Sequence, residues 1–228
     1  MAATRRVGKQ TSSTRDQLLD CAEQLMVDEG YAAVTYRKVA AKAGVTSGLV
    51  QYYFPALDDL FVAAIRRATD RNLGRLVKAL AARPEQPLRV LWEYSRDEAA
   101  TALMMEFMAL GNHRKSIRSE IADATNRVRQ VQLDALVEHW RHHGHESDDP
   151  SPAAMLFLMT GLPKMIQLEE RFGITAAHTE IVALVEQYLD TGTWSADVGK
   201  RAAPTPSRRP GARARRDHTP AGPGPPCM

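Results

Sequence analysis

The fold is decided by residues 35–54, which read Thr35-Tyr-Arg-Lys-Val-Ala-Ala-Lys-Ala-Gly-Val-Thr-Ser-Gly-Leu-Val-Gln-Tyr-Tyr-Phe54. Two short helical patterns lie here, and Thr35 and Thr46 are each placed to cap one of them through the side-chain hydroxyl. Gly44 permits the left-handed backbone that ends the first helix. A helix, a glycine-containing turn and a second helix are typical of a helix-turn-helix, whose second helix enters the DNA major groove.

The chain before this stretch predicts an arm and one further helix. Residues 1–12 are small, polar and basic, which indicates a disordered arm that is either solvated or in contact with DNA phosphates or the minor groove. Ser13-Thr14-Arg15-Asp16 is similar to a capping box. It is followed by apolar residues at helical spacing: Leu18, Leu19, Ala22, Leu25 and Met26.

The chain after residue 54 carries helical periodicity and no strand pattern, so the predicted fold class is all-α. Helices are expected at about 55–81, 88–94, 99–110, 113–142, 153–171 and 175–191. Gly111-Asn112 is expected to end the helix at 99–110, and Pro163 to kink or split the helix at 153–171. Seven of the 13 prolines fall in 204–226, which predicts a disordered tail from about residue 197.

Composition and charge narrow the class of protein. The hydrophobic content of 44% and the charged content of 25% are ordinary for a globular protein with a core. Residues 200–228 carry a net charge of +6, which leaves −3 for residues 1–199. No apolar run reaches 18 residues, no signal peptide begins the chain, and the two cysteines form no disulfide framework. We therefore expect a cytoplasmic protein with no membrane segment.

The layout resembles the TetR family of bacterial transcriptional repressors, most specifically over about residues 13–67. The resemblance is carried by Leu18-Leu-Asp-Cys-Ala-Glu-Gln-Leu-Met26, Gly30-Tyr-Ala-Ala-Val-Thr35, the run from Val39 to Phe54, and Leu57-Asp-Asp-Leu60. It implies a TetR-like fold of about nine helices. The expected parts are a basic arm (1–12), a three-helix DNA-binding domain (13–55), an effector-binding and dimerisation domain (56–196) and a Pro/Arg-rich tail (197–228).

The polar residues of the helix pair are predicted to contact double-stranded DNA, and the apolar ones to hold them in place. The predicted DNA-binding residues are Arg37, Lys38, Thr46, Ser47, Gly48, Gln51, Tyr52 and Tyr53. Arg37 and Lys38 suit backbone phosphates, and Gly48 lets the second helix sit deep in the groove. The resemblance indicates Tyr52 as a phosphate anchor, and Tyr53 either does the same or packs on the first helix. The predicted core comprises Val39, Ala40, Val45, Leu49, Val50 and Phe54.

Two residues depart from the pattern of the family. Gln51 stands where an aromatic residue is common, and glutamine can bond the N6 and N7 atoms of adenine. A water-mediated or phosphate contact is the alternative role for this side chain. Leu57 stands where the family often has a lysine that holds a phosphate, so that backbone contact is in doubt.

The resemblance also implies a homodimer and a small-molecule effector. A twofold dimer would read an inverted-repeat operator, and the helices at 152–171 and 175–191 would form its four-helix bundle; the alternative is that their apolar stripes are intramolecular core. The family places its inducer cavity among the middle helices. Residues there are Trp92, Met104, Phe107, Met108 and Phe157. A stripe of methionine and aromatic residues is more often core than pocket, but it suits an apolar or amphipathic effector that releases DNA.

Other functions have less support in the sequence. The cluster His139, His142, His143 and His145 lies at a helix end, where imidazoles either bind a metal or bond free carbonyl groups. No catalytic arrangement recurs at a fixed spacing, so we predict no catalytic residue, no cofactor and no metal, and the protein is not expected to be an enzyme. A structural DNA-binding protein without an effector is the remaining alternative.

Overall fold

The computed structural model describes the backbone of residues 2–143 and 150–194 and the side chains of residues 13–142 and 150–194. These residues contain nine α-helices, one 3-10 turn and no strand, which confirms the all-α prediction. The helices are α1 (Ala2–Glu29), α2 (Tyr36–Ala43), α3 (Ser47–Tyr53), α4 (Leu57–Ala82), α5 (Pro87–Tyr94), α6 (Glu98–His113), α7 (Lys115–His143), α8 (Pro152–Glu170) and α9 (His178–Thr191). The 3-10 turn, Tyr31–Ala33, joins α1 to α2.

Helix α1 begins earlier than the sequence predicts. Its first residue is Ala2, so the expected disordered arm is helical from that residue, and the expected start at Ser13 lies inside the helix. Alanine, arginine and lysine favour helices, and residues 1–12 contain no proline to stop one. The predicted tail at 197–228 lies outside the described residues.

An apolar core joins α1–α4 to the C-terminal end of α6 and the start of α7. The α1 stripe predicted from the sequence is buried there together with residues of α2, α3 and α4. From α6 and α7 the core receives Leu103, Phe107, Leu110 and Ile117. Helices α1–α4 therefore do not close their own core, because α6 supplies part of it.

Ion pairs fasten α4 to α1. Glu23 is nearly buried, and its Oε1 accepts from Nη2 and Nε of Arg67 at 2.8 and 3.2 Å. Its Oε2 accepts from Nη2 of Arg71 at 2.8 Å. Arg67 also donates to the carbonyl oxygen of Asp16 at 2.8 Å. A nearly buried carboxylate with several cationic donors resists displacement, so α1 is held firmly against α4.

Two helices differ from their predicted lengths. Helix α6 continues through Gly111 to His113, although the sequence predicts a break at this glycine. The glycine lets α6 and α7 pack closely, because a Cβ there would lie 2.7 Å from Cδ1 of Ile121 on α7, and that side chain would have to shift. Helix α8 contains Pro163 and is not split by it.

The chain divides into two units, residues 1–179 and 180–228. Most of α9 belongs to the second unit. Within that unit the rings of Tyr188 and Trp194 stack with their centroids 4.3 Å apart. Gly192 ends the helix at φ 73°, and its N–H donates to the carbonyl oxygen of Tyr188 at 2.8 Å.

Gly44→Ala is expected to lower the free energy of unfolding by about 1–2 kcal/mol, the usual cost of a left-handed backbone at a residue with a Cβ. Gly44 has φ 69°, and a Cβ there would meet no atom within 4 Å, so only backbone strain contributes. Urea denaturation measures the change. The matched control is Gly74→Ala in α4, which is expected to raise stability by about 0.5–1 kcal/mol; destabilisation by both variants would contradict the explanation.

Candidate nucleic-acid interface

Both predicted helix caps and the turn between them are present. Oγ1 of Thr35 accepts from the backbone N–H of Lys38 at 3.2 Å, and Oγ1 of Thr46 accepts from that of Leu49 at 3.3 Å. Between them Gly44 adopts the left-handed conformation, so that the next N–H, that of Val45, donates to the carbonyl oxygen of Ala40 at 3.0 Å. These bonds satisfy terminal backbone groups of α2 and α3 and set the angle between the two helices.

The apolar side of α3 holds it on the core. Val50 and Phe54 are fully buried, as the sequence predicts, and the Arg15 guanidinium lies 5.2 Å from the centre of the Phe54 ring. The sequence predictions do not include Tyr36, whose hydroxyl donates to the carbonyl oxygen of Phe54 at 3.0 Å. Burial, and next the nearby Asp59, raise the pKa of Tyr36, so the hydroxyl stays protonated and able to donate.

The polar side of the helix pair faces away from the core. The exposed residues among the predicted DNA contacts are Arg37, Lys38, Thr46, Ser47, Gly48, Gln51 and Tyr52. Tyr53 is half-buried and packs against the core, with its ring 5.4 Å from that of Tyr52 in an edge-to-face arrangement. Of its two predicted roles, packing is therefore the one with structural support. Tyr52 is 75% exposed and keeps its hydroxyl free to approach a phosphate.

The basic residues of α2 have different surroundings. Nζ of Lys38 lies 2.6 Å from Oε2 of Glu29, and Nζ of Lys42 lies 3.3 Å from Oδ2 of Asp28. Arg37 makes no hydrogen bond or ion pair with any residue in the described part of the chain. A phosphate would have to compete with Glu29 for Lys38, whereas the guanidinium of Arg37 is unoccupied. Arg37 is thus the better placed of the two predicted phosphate contacts.

Gly48 has no internal reason to be glycine. It lies in the first turn of α3, its φ is not in the left-handed region, and a Cβ there would meet nothing within 4 Å. Glycine inside a helix costs about 0.5–1 kcal/mol relative to alanine. The absence of a side chain at this position, in the exposed first turn of α3, leaves room for close approach by another molecule.

Leu57, where the resemblance would place a phosphate-binding lysine, is half-buried and packs against the core. The start of α4 is held instead by Asp59, whose Oδ2 accepts from the backbone N–H of Ala56 at 2.9 Å. This carboxylate also favours the positive end of the helix dipole.

The five predicted effector residues occupy different environments. Trp92 and Phe107 are buried, Met104 is half-buried, and Met108 and Phe157 are exposed. Phe107 belongs to the same apolar core as α1–α4. The Arg96 guanidinium lies 5.8 Å from the centre of the Trp92 ring, and that of Arg129 lies 6.0 Å from the centre of the Phe157 ring.

Helix α6 contacts the link between α1 and α2. The backbone N–H of Tyr31 donates to Oε2 of Glu106 at 2.7 Å, and the Tyr31 ring stacks on the His113 ring with centroids 6.0 Å apart. Arg114 pairs with Asp58 at the start of α4. The hydrogen bond from Ser116, together with Arg114, lowers the pKa of Asp58 against the opposing effect of burial. The sequence analysis does not predict this contact of Glu106, although Glu106 is the only charged residue in 99–110.

No group of three or more His, Cys, Asp or Glu side chains within the described residues is arranged to hold a metal ion. Nδ1 of His142 lies 2.9 Å from the carbonyl oxygen of Glu138, one turn earlier in α7. His143 and His145 lie outside the described side chains. Over the same residues, no helix has the length and hydropathy needed to span a membrane.

The family model described as "Bacterial regulatory proteins, tetR family" matches residues 18–64, which contain the caps, the turn and the exposed polar side described above. The chain is 32% identical over 90 residues to the HTH-type transcriptional regulator AcrR of Shigella flexneri. This match covers 39% of this chain and 41% of AcrR, so the chain spans less than half of that relative.

Matches beyond the DNA-binding helices are weaker in sequence but longer. The HTH-type transcriptional repressor BepR of Brucella suis biovar 1 (strain 1330) is 25% identical over 204 residues, 81% of this chain and 96% of BepR. A crystal structure of a putative transcriptional regulator from Saccharomonospora viridis in complex with choline has a TM-score of 0.64 at 19% identity. It covers 79% of this chain and 97% of its own. The similarity in fold to this solved structure therefore extends over most of the chain.

Proposed function

Because the chain belongs to the TetR family of bacterial regulatory proteins, we propose that it is a DNA-binding transcriptional regulator. In this proposal it acts as a repressor that binds an inverted-repeat operator as a homodimer and is released by a small apolar or amphipathic effector. The observation that carries the proposal is the exposed polar side of α2 and α3, with Arg37 unpaired and Gly48 unconstrained by its own protein.

The roles of the exposed residues follow from their positions. Arg37 provides a phosphate contact, which sets affinity and register without reading sequence. Ser47 and Gln51 lie on the exposed side of α3 and are the candidates for reading base edges. Thr46 lies at the N-terminus of α3, where its hydroxyl and the first N–H groups of the helix would face a phosphate.

The proposed homodimer is supported by the exposed apolar residues of α8 and its C-terminal extension. Met165 lies on α8, and Phe172 and Ile174 follow its end. Soluble monomers seldom expose so many large apolar side chains in one short stretch. A second copy of the chain covering this surface would explain them, and it would supply the second reading head that an inverted repeat needs.

The contact between α6 and the Tyr31 turn is the proposed route between effector and DNA. A ligand that shifts α6 would move Glu106, which accepts from the Tyr31 N–H, and would repack Phe107 in the core under α1. The spacing of two reading heads would then change. Linkage requires that the effector and the operator weaken each other's binding by the same factor.

Footprinting on the DNA that flanks the coding region tests the proposal. We expect protection of an inverted repeat whose half-sites lie about 34 Å apart, or a multiple of that distance, because each recognition helix needs its own major groove on one side of the duplex. Uniform coverage of all DNA, or no protection, would contradict specific regulation.

Arg37→Ala and Gln51→Ala are expected to have different effects. Arg37→Ala weakens binding to operator and to random DNA alike and flattens the dependence on salt, because a phosphate contact carries no sequence information. Gln51→Ala relaxes the preference at one base pair by about 1–3 kcal/mol, provided that the amide bonds a base. Fluorescence-anisotropy titrations on all four variants of that base pair, at several salt concentrations, measure both.

Lys42→Ala is the matched control for Arg37→Ala. Lys42 lies on the same helix, but its ammonium is already paired with Asp28, so a smaller loss of affinity is expected.

Equal losses on operator and random DNA for Gln51→Ala would remove the assignment of base reading to this residue.

A further inference from the structure

The arginines between α4 and α7 are matched by carboxylates. Arg66 donates to both carboxylate oxygens of Glu120, at 2.9 and 2.7 Å, and Arg127 donates to Asp70 at 2.8 Å. The Arg66 hydrogen bond lowers the pKa of Glu120. Cations in this part of the protein therefore have acidic partners as a rule.

Lys164 on α8 departs from that rule. Its side chain is half-buried, and it has no hydrogen bond or ion pair with any residue in 13–142 or 150–194. Burial lowers the pKa of Lys164, and the positive charge of Arg129 on α7 lowers it further. A partly desolvated ammonium beside a second cation costs free energy unless an anion is added.

Arg129 is also without an ion pair among the described residues. Its guanidinium lies 6.0 Å from the centre of the Phe157 ring, which is 64% exposed. Phe157 lies seven residues before Lys164, two turns away on the same side of α8. Arg129 thus approaches one side of α8 that presents first an apolar ring and then an ammonium.

A glutamine one turn after Lys164 has unused hydrogen-bonding capacity. This residue is Gln167 on α8, whose buried Oε1 has no partner among the described residues. Buried amides without partners are uncommon, because each one costs the free energy of desolvation. A polar ligand beside Lys164 would give this amide a partner.

We propose that Lys164 and Arg129 form the head-group site for an anionic amphiphile, whose apolar tail packs against Phe157. The two cations would each bond the anionic group, and the ring beside them would cover the first part of the tail. This inference rests on the proposed function, because it gives the chemical class of the effector: an alkyl chain that ends in a carboxylate or a similar anion.

Calorimetric titration of the full-length protein with ligands of equal chain length tests the site. The probes are decanoate, decyl sulfate, decan-1-ol and decyltrimethylammonium, all below their micelle concentrations. Decanoate is expected to bind about ten- to a hundredfold more tightly than decan-1-ol, the usual worth of hydrogen bonds to a charged group. Decyl sulfate separates a general anion site from one that prefers the carboxylate.

Lys164→Met and Arg129→Gln are each expected to bring decanoate binding down towards that of decan-1-ol, while binding of the alcohol stays unchanged. Lys164→Met is also expected to raise the unfolding temperature, because it replaces an unpaired, partly buried cation by an apolar side chain of similar length. Lys78→Met is the matched control: Lys78 is exposed on α4, and its loss should alter neither property.

Three outcomes would overturn the inference. In the first, decanoate fails to bind, or binds no better than decan-1-ol or decyltrimethylammonium. In the second, the preference for decanoate survives Lys164→Met. In the third, Lys164→Met leaves decanoate binding intact and weakens a dimer measured by sedimentation equilibrium, which would assign Lys164 to a carboxylate of a second copy. Operator binding without ligand is measured on the same samples. Operator binding without decanoate binding would reject only this site, whereas the absence of operator binding would reject the proposed function.

Discussion

Gly48→Leu is expected to lower affinity for the operator by about a thousandfold or more, to the level of non-specific DNA binding. The reason is the position of Gly48 in the first turn of α3, the part of a recognition helix that comes nearest to base edges. A leucine there would hold the helix out of the groove and so remove the base contacts, while phosphate contacts at the edge of the interface would remain.

The same substitution is expected to leave the protein folded and slightly more stable. A Cβ at Gly48 meets no atom within 4 Å, and leucine is a better helix former than glycine by about 0.8 kcal/mol. Thermal unfolding and operator titration on one preparation measure the two effects separately.

Gly74→Leu in α4 is the matched control for Gly48→Leu. Gly74 is exposed, and a Cβ there also meets nothing within 4 Å. It should gain stability and keep its affinity for DNA. Full operator affinity in Gly48→Leu, or an equal loss in Gly74→Leu, would show that Gly48 does not lie against the groove.

Phe107→Ala is expected to lower the free energy of unfolding by about 3–5 kcal/mol, the usual cost of removing a buried aromatic ring. Phe107 is 7% exposed and belongs to the core shared by α1–α4 and α6. The cavity would open directly beneath the DNA-binding helices, so operator affinity is expected to fall along with stability.

Met108→Ala is the control for Phe107→Ala. Met108 is the next residue on α6 and is 49% exposed, so its truncation should change stability by less than about 1 kcal/mol. Urea denaturation of both variants gives the comparison. If Phe107→Ala kept full stability and altered only effector affinity, the ring would line a pocket, as the sequence pattern allows, and would not belong to the core.

The local features of the DNA-binding helices could be predicted from the sequence. The two threonine caps and the left-handed Gly44 each depend on residues within five positions of one another, so their bonds are set by chain geometry. The buried stripe of α1 follows in the same way from helical spacing alone. Such features need no knowledge of what lies across the fold.

Features that depend on distant parts of the chain could not be predicted in this way. The pairing of Lys38 with Glu29 crosses from α2 to α1, and the bond from Tyr31 to Glu106 joins residues 75 positions apart. The Met and aromatic stripe of α6 is compatible with a pocket or a core, and only packing against α1–α4 assigned Phe107 to the core. The glycine at position 111 predicts a helix end, but in the structure α6 continues through it and the Ile121 side chain of α7 packs against this position.

The sequence by itself determined the helix-turn-helix, its caps and the polar residues it exposes, because these depend on backbone propensity and helical period. Only the tertiary structure decided which of those residues lack an ion pair or a packing contact within the protein. Arg37 is unpaired and Gly48 unconfined, whereas Lys38 is paired and Tyr53 packed on the core. The physical reason is that charge pairing and burial are properties of neighbours brought together by folding, and spacing along the chain does not contain them.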